Sequence, residues 1–294
     1  MNDTWARVAA NTREEAGDAA EGWISAVPTA IPELAERWAL TLGEPYEVET
    51  IAYVLRAECE DGTAAVLKLI YPHYEETSFA QEVAGLGMWD GRGIVRLLAS
   101  EEEIGAQLLE RAEPGNSLLD EPDEAKALGI AAGALQRMWS APATPHPDIR
   151  PLAEQARIWA GSIEQEWAEA GKPFALDLME DARGTFLTLA AELDRLVEDL
   201  VLVHGDLHHG NVLAAEREPW LAIDPKPMLG EPEYDIRAPL CDHRKALFAD
   251  PDPRGRLKRR LDTLLGELDV DRGRALAWAF AVEIDWSMWG LGQG

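Results

Sequence analysis

At 294 residues the chain is long enough for two lobes that share a cleft, and for a sizeable buried core. Its formal net charge of −27 excludes nucleic acid and anionic membranes as partners, because most of the surface repels both. An acidic field of this size suits a polycationic ligand, although acidity alone also keeps soluble proteins dispersed.

The start Met1-Asn2-Asp3-Thr4-Trp5 lacks the basic residues and apolar run of a secretion signal. The most apolar late stretch, Ala275 to Leu291, is broken by Glu283 and Asp285, so no membrane span is expected. Cys59 and Cys241 fall in different halves, which points to reduced thiols and a cytoplasmic location.

Taken in chain order, the pattern is a β-rich first third followed by a helical remainder, an α+β arrangement. Ile51 to Cys59 reads as a strand, Asp61-Gly62 as a hairpin turn and Ala64 to Ile70 as the returning strand. Lys68 shares a strand face with Val66 and Ile70, and an ammonium on an apolar face calls for a partner. Ser78 and Gln81 form a capping box that opens a helix running to Trp89, where Asp90-Gly91 stops it. Glu82, in the first turns of that helix, is the predicted partner of Lys68, with Glu75 and Glu76 as weaker candidates.

Ile94 to Ala99 and Ile104 to Leu109 read as further strands, and Pro114-Gly115 as a turn after an edge strand. Helical stripes follow. One runs through Leu128, Ala132, Leu135 and Trp139, a second from Leu152 to Trp167, and a third from Leu178 to Leu200. Their tryptophans are predicted to be core. A later helix with Leu257, Leu261, Leu264 and Leu268 carries Arg254, Arg256, Lys258, Arg259 and Arg260, predicted to pair with nearby carboxylates.

The most informative stretch is His204-Gly205-Asp206-Leu207-His208-His209-Gly210-Asn211, with Asp224 thirteen residues further on in Ala222-Ile223-Asp224-Pro225-Lys226-Pro227. Phosphoryl transfer from a nucleotide needs a carboxylate to take the hydroxyl proton, and oxygen ligands that hold Mg²⁺ against the β- and γ-phosphates. Asp206 fits the first requirement, and Asn211 and Asp224 fit the second. Short strands predicted at 200–203, 212–214 and 220–223 place all three groups at strand ends or in loops. A zinc cluster of His204, His208 and His209 with Asp206 is the competing reading, but it leaves Asn211 and Asp224 without a purpose. A kinase-shaped, non-catalytic nucleotide-binding protein is the other alternative, and such proteins usually lack one of the three groups.

The segment HGDLHHGNVLAAEREPWLAIDPKPMLGEPEYD, His204 to Asp235, resembles the aminoglycoside phosphotransferase superfamily. Within it, His208-His209, Arg217-Glu218-Pro219-Trp220 and Asp224-Pro225-Lys226-Pro227 resemble the streptomycin 6-phosphotransferase and hydroxyurea phosphotransferase family. The resemblance continues more weakly upstream through Val66-Leu67-Lys68-Leu69, Trp89-Asp90-Gly91 and Leu108-Leu109-Glu110-Arg111.

It implies a protein-kinase-like two-lobed fold, with a smaller β-rich lobe over residues 1–112 and a larger helical lobe over 113–294. It also implies ATP and Mg²⁺ as cofactors bound between the lobes, with Lys68 and Glu82 on the phosphates and backbone groups of Glu110 and Ala112 on the adenine. Asp206 would be the base, and Asn211 and Asp224 the metal ligands. The implied reaction phosphorylates a hydroxyl of a streptomycin-like aminoglycoside, with a hydroxyurea-like or other small metabolite as the alternative acceptor.

A guanidinium-bearing substrate calls for carboxylates on the receiving side. Glu231, Glu233, Asp235, Asp242, Glu283 and Asp285 are the candidates, although the Tyr234-Asp235 pair in related kinases often braces the catalytic loop. Lys226 is placed to hold phosphate or to pair with Glu231 or Asp235. One departure from the family stands out: no glycine lies between Tyr46 and Arg56, where Glu49 and Thr50 stand. Asp224 precedes a proline that restricts it, which favours a segment that stays ready for metal.

Overall fold

Two helices precede the first strand. In the computed structural model, which describes residues 2–47, 51–73, 79–196 and 200–292 and the side chains up to 288, α1 spans Asp3–Ala16 and α2 spans Glu21–Arg37. The β-rich reading of the first third holds for the sheet that follows, and these two helices are an addition to it. Asn2 caps α1 by accepting the Trp5 N–H at 3.0 Å, and Trp5, Val8, Ala9 and Thr12 form its buried face. Trp23, Ile24, Val27, Ile31 and Leu34 are the buried stripe of α2. Pro28 and Pro32 lie inside that helix and obscure it in sequence. An interior proline costs a helix about 3 kcal/mol, whereas each large apolar side chain buried contributes about 1.5–3 kcal/mol, so the stripe outweighs the prolines.

The chain divides into two compact units, Met1–Gly115 with Ala214–Leu221, and Asn116–Leu213 with Ala222–Gly294. The first contains an antiparallel sheet of β1 (Leu40–Pro45), β2 (Tyr53–Cys59), β3 (Ala64–Leu69), β4 (Leu97–Glu101) and β5 (Ala106–Glu110), in the order β1-β2-β3-β5-β4. α3, Phe79–Trp89, lies between β3 and β4 in the chain. One face of the sheet, including Leu55, Ala57, Ala65, Leu67, Leu69 and Leu108, packs with Trp5 and Trp23 of the two leading helices. The opposite face carries Val54 and Ile70 against Phe79 and Val83 of α3. Asp90 at φ 50° and Gly91 at φ 80° end α3 at the predicted stop. Ser78, Glu75, Glu76, Glu49 and Thr50 lie outside the described residues.

Pro114–Ser117, predicted as a turn, is a short strand, β6, with its proline in the first position, where a missing N–H is tolerated. The second unit is mostly helical, with α4 (Glu124–Trp139), α5 (Leu152–Glu169) and α6 (Leu176–Leu193), and four short strands come next in the chain. These are β7 (Val201–Val203), β8 (Val212–Ala215), β9 (Trp220–Ala222) and β10 (Met228–Gly230), with β7 paired to β10 and β6, β8 and β9 forming a three-stranded sheet. Of the four, β8 and β9 run partly within the 214–221 segment of the first unit. The chain ends in α7 (Arg237–Leu240), α8 (Arg244–Phe248), α9 (Pro253–Glu267) and α10 (Arg272–Gly292).

The core of this unit gathers Ile163 and Trp167 of α5, Phe186 of α6 and Trp278 of α10. Of the basic run on α9, Arg256 and Arg260 both pair with Glu124 on α4, at 2.7 and 2.6 Å. Cys59 and Cys241 are free thiols.

Candidate active site

Within the first unit, Lys68 Nζ lies 2.8 Å from Glu82 Oε1, and only 9% and 8% of the two side chains are exposed. Strand alternation places Lys68 on the α3 side of β3, opposite Val54 on β2 and Gln107 on β5. A buried ion pair is a poor source of stability, because desolvation cancels most of the attraction. A lysine fixed at one position and orientation is what an anionic ligand would require.

In the second unit, the polypeptide leaves β7 at Val203 and enters a loop that Asp235 holds in shape. The buried Asp235 carboxylate accepts the N–H groups of His204 and Gly205 at 2.9 and 2.8 Å, and the Trp139 indole N–H at 2.9 Å. Burial pushes this carboxyl up to about 6, and the three donors act against a further rise. His204 Nδ1 accepts the Asp206 N–H at 3.2 Å while Nε2 lies 3.0 Å from the Ile223 carbonyl, which makes Nε2 the protonated nitrogen. Burial pushes that imidazole down to about 4, so it is neutral at physiological pH.

Asp206 follows, with its carboxylate 3.3 Å from Lys226 Nζ and 3.6 Å from Arg237 Nη2. Burial works to raise this carboxyl, but the charges of Lys226, His208 and Arg237 outweigh it and hold the group below the ordinary range. It is therefore an ionised carboxylate beside two cations. Lys226 points at this group.

Asn211 ends a 3-10 turn, His209–Asn211, and is 8% exposed. Its amide Nδ2 donates to the Asp206 carbonyl at 2.9 Å, which leaves the amide oxygen as the ligating end. The Asn211 carbonyl accepts the Ile223 N–H at 2.9 Å, so the backbone itself ties the asparagine to the residue just before Asp224. Asp224 is exposed at φ 53°, a left-handed conformation uncommon outside glycine. An amide oxygen and a carboxylate are hard donors of the kind Mg²⁺ takes.

A cavity of about 500 Å³ opens beside Asp206, with Arg237, Asp242, Arg244, Lys245 and Trp286 in its walls. The Arg237 guanidinium sits 4.8 Å from the centre of the Trp286 ring and Lys226 Nζ 5.4 Å from it.

The predicted receiving carboxylates are dispersed. Two of them are corrected as substrate groups, because both are buried and taken up by the protein itself. Glu231 is 3% exposed and binds Arg274 Nε at 2.6 Å and the Trp278 indole, and Asp235 braces the loop. Glu233 accepts the Asp271 N–H at 2.9 Å. Glu283 pairs with Arg237 at 3.1 Å and Arg244 at 2.6 Å. Asp242 lines the cavity directly. Asp285 is 8% exposed, and burial pushes its carboxyl up to about 7.

At Glu110, expected to meet the adenine through its backbone, the side chain is engaged within the protein. Its carboxylate makes a two-point pair with Arg217 at 2.7 and 2.8 Å, and its N–H donates to the Arg96 carbonyl at 2.9 Å. Any nucleobase contact at this residue therefore falls to its carbonyl oxygen. Arg217 also donates to the carbonyls of Gly91 and Ile94, at 2.7 and 2.9 Å. Sequence reasoning missed Arg217, Arg237 and Trp286 as contributors, although Arg217 stood within a motif it singled out.

Comparison with known proteins agrees with this geometry. Residues 37–294 match the sequence profile of the aminoglycoside/hydroxyurea antibiotic resistance kinases. The chain is 36% identical to the streptomycin 6-kinase of Streptomyces glaucescens, over 98% of this chain and 90% of that protein. It is 36% identical to the hydroxyurea phosphotransferase of Kitasatospora aureofaciens, over 95% of this chain and 77% of that protein. Among solved structures it is similar to the aminoglycoside phosphotransferase APH(3'')-Id of Streptomyces rimosus, determined with ADP and streptomycin. That likeness has a TM-score of 0.60 at 16% identity, over 89% of this chain and 99% of the other, and establishes the kinase-like fold. Among the described residues no helix is long and apolar enough to cross a membrane.

Proposed function

Since the chain belongs to the aminoglycoside/hydroxyurea antibiotic resistance kinase family, we propose that it transfers the γ-phosphoryl group of ATP to a hydroxyl of a streptomycin-like aminoglycoside. The observation that carries this reading is Asp206, an ionised carboxylate fixed by its loop at the edge of a cavity and flanked by Lys226 and Arg237.

In this role Asp206 orients the acceptor hydroxyl in the cavity and takes its proton as the new O–P bond forms. General-base assistance of this kind is worth roughly 10²–10⁴-fold. Lys226 and Arg237 keep Asp206 ionised between turnovers and offset negative charge arriving with the phosphates. Lys68, aimed by Glu82, takes the α- and β-phosphates. Asn211 and Asp224 would hold Mg²⁺, which would supply positive charge against the phosphates of the nucleotide. The left-handed backbone of Asp224 in front of Pro225 supports a segment that stays ready for metal and does not switch. The carbonyl of Glu110 and the backbone of Ala112 take the adenine. On the acceptor side, Asp242, Glu283 and Asp285 remain as carboxylates for guanidinium groups.

A second reading, phosphorylation of a small neutral acceptor of the hydroxyurea type, draws support from Arg237, Arg244 and Lys245 in the cavity wall, which disfavour a polycation. ADP release from Mg-ATP, measured with streptomycin, hydroxyurea and unrelated amino alcohols in parallel, separates the two. Stimulation by streptomycin supports the first reading and stimulation by hydroxyurea alone supports the second. Nucleotide binding with no acceptor-dependent release would mean that the chain is a non-catalytic relative.

A further inference from the structure

His209, Asp242 and His243 each present one ligand atom, and the three atoms lie within 4.8 Å of one another. His209 and His243 have no part in the phosphoryl transfer described above, and Asp242 enters it only as an acceptor-side carboxylate in the cavity wall. The His209 ring is 3% exposed, and among the described residues neither ring nitrogen makes a hydrogen bond. Nδ1 does lie 3.2 Å from Asp242 Oδ2, but that oxygen already receives the backbone N–H of His209 at 2.6 Å. A buried imidazole with two unmet nitrogens is rare in folded proteins and calls for an ion or a water.

The other two residues are positioned toward it. His243 adopts φ 51°, a strained backbone for a non-glycine residue, and its ring centre lies 5.7 Å from that of His209. Arg260 donates to the Asp242 carbonyl at 2.6 Å and to the Leu240 carbonyl at 3.1 Å, fixing the segment between α7 and α8.

We propose that these three residues form a site for a zinc-class divalent ion, with His209, Asp242 and His243 as ligands and a fourth position open to the cavity. Two imidazoles and one carboxylate favour zinc over magnesium, and three protein ligands with one open position is an established zinc arrangement. The atoms must draw together slightly to reach metal–nitrogen bonds of about 2.0–2.1 Å, and the exposed His243 ring is free to make that adjustment. The set shares only His209 with the zinc cluster considered from sequence, since His204 is held by backbone partners and His208 caps the 3-10 turn. An Asp242 that holds the ion leaves Glu283 and Asp285 to meet an acceptor's guanidinium groups. Its occupation would tie the turn that carries Asn211 to one wall of the cavity.

The test uses the untagged full chain, stripped by chelator and titrated with Co²⁺ in excess Mg²⁺ while visible absorption is followed, with Zn²⁺ as the displacing ion. The same titration is run on His243→Ala and Asp242→Asn, with folding checked by circular dichroism. The proposal expects one Co²⁺ per chain with intense tetrahedral-type bands, displacement by Zn²⁺ but not Mg²⁺, and affinity at least ~100-fold weaker in His243→Ala. Asp242→Asn weakens binding too. Absence of the bands, or equal affinity in the folded variants, overturns it and assigns the His209 nitrogens to water.

Discussion

Gly205 and Lys226 meet backbone to backbone: a β-carbon on Gly205 would stand 2.3 Å from the Lys226 carbonyl oxygen, and Gly205 is at φ 83°. The two residues belong to the loop of Asp206 and the loop after Asp224, and the Lys226 N–H also donates to the His204 carbonyl at 2.8 Å. The relative placement of Asp206 and Asp224 thus rests on a contact that only glycine permits. Gly205→Ala is expected to cost about 2–4 kcal/mol, from positive-φ strain and from the shift that relieves the clash. A thermal melt with parallel kinetics checks this, and kcat should fall by more than the loss of folded protein explains.

Asp206→Asn preserves shape and removes the charge proposed to accept a proton. A fall in kcat of about 10²–10⁴-fold is expected, with KM for ATP changed little. Steady-state kinetics against both substrates would reveal the split, and an unaltered kcat would remove Asp206 from the chemistry.

The Lys68–Glu82 pair allows a separation of stability from function. Lys68→Met strands a buried carboxylate and should destabilise the protein by about 3–5 kcal/mol, whereas the double change Lys68→Met with Glu82→Met should recover much of that. Phosphoryl transfer should stay low in both. Denaturant melts beside ATP kinetics test it, and recovery of activity in the double variant would contradict the phosphate role.

Asp285 gives a pH signature. Its folded-state value of about 7 is raised from 3.8 by burial, with the nearby charge of Glu166 adding to it. A raised carboxyl contributes stability below about pH 4 that is lost as pH climbs to 7. Asp285→Asn mimics the protonated form. Its advantage over the parent should be near zero at pH 4, grow to pH 7 and level off on the order of 2–4 kcal/mol. Melts at several pH values read this directly. If Asp285 also meets a substrate guanidinium, the same variant raises KM for streptomycin about tenfold or more.

Strand alternation was enough to put Lys68 on an inward face, and the start of a helix fourteen residues later was enough to offer Glu82, so that pair was legible in sequence. So was the clustering of Asp206, Asn211 and Asp224 around short strands, because their separation is local. The long-range partners were not. Arg217 meets Glu110 across 107 residues, and Glu231 meets Trp278 across 47, distances over which no periodicity speaks. Acidic residues near a catalytic motif look alike in sequence whether they face a ligand or an arginine from another helix. The second leading helix was obscured by Pro28 and Pro32, whose local cost the tertiary burial of Trp23, Val27 and Ile31 overrides.

The most direct test of the account is mass spectrometry of streptomycin after incubation with the purified chain and Mg-ATP, with the Asp206→Asn protein in parallel. The account predicts an antibiotic carrying one added phosphoryl group, formed at least ~100-fold more slowly by the variant. Unmodified streptomycin, or equal product from both proteins, would contradict it.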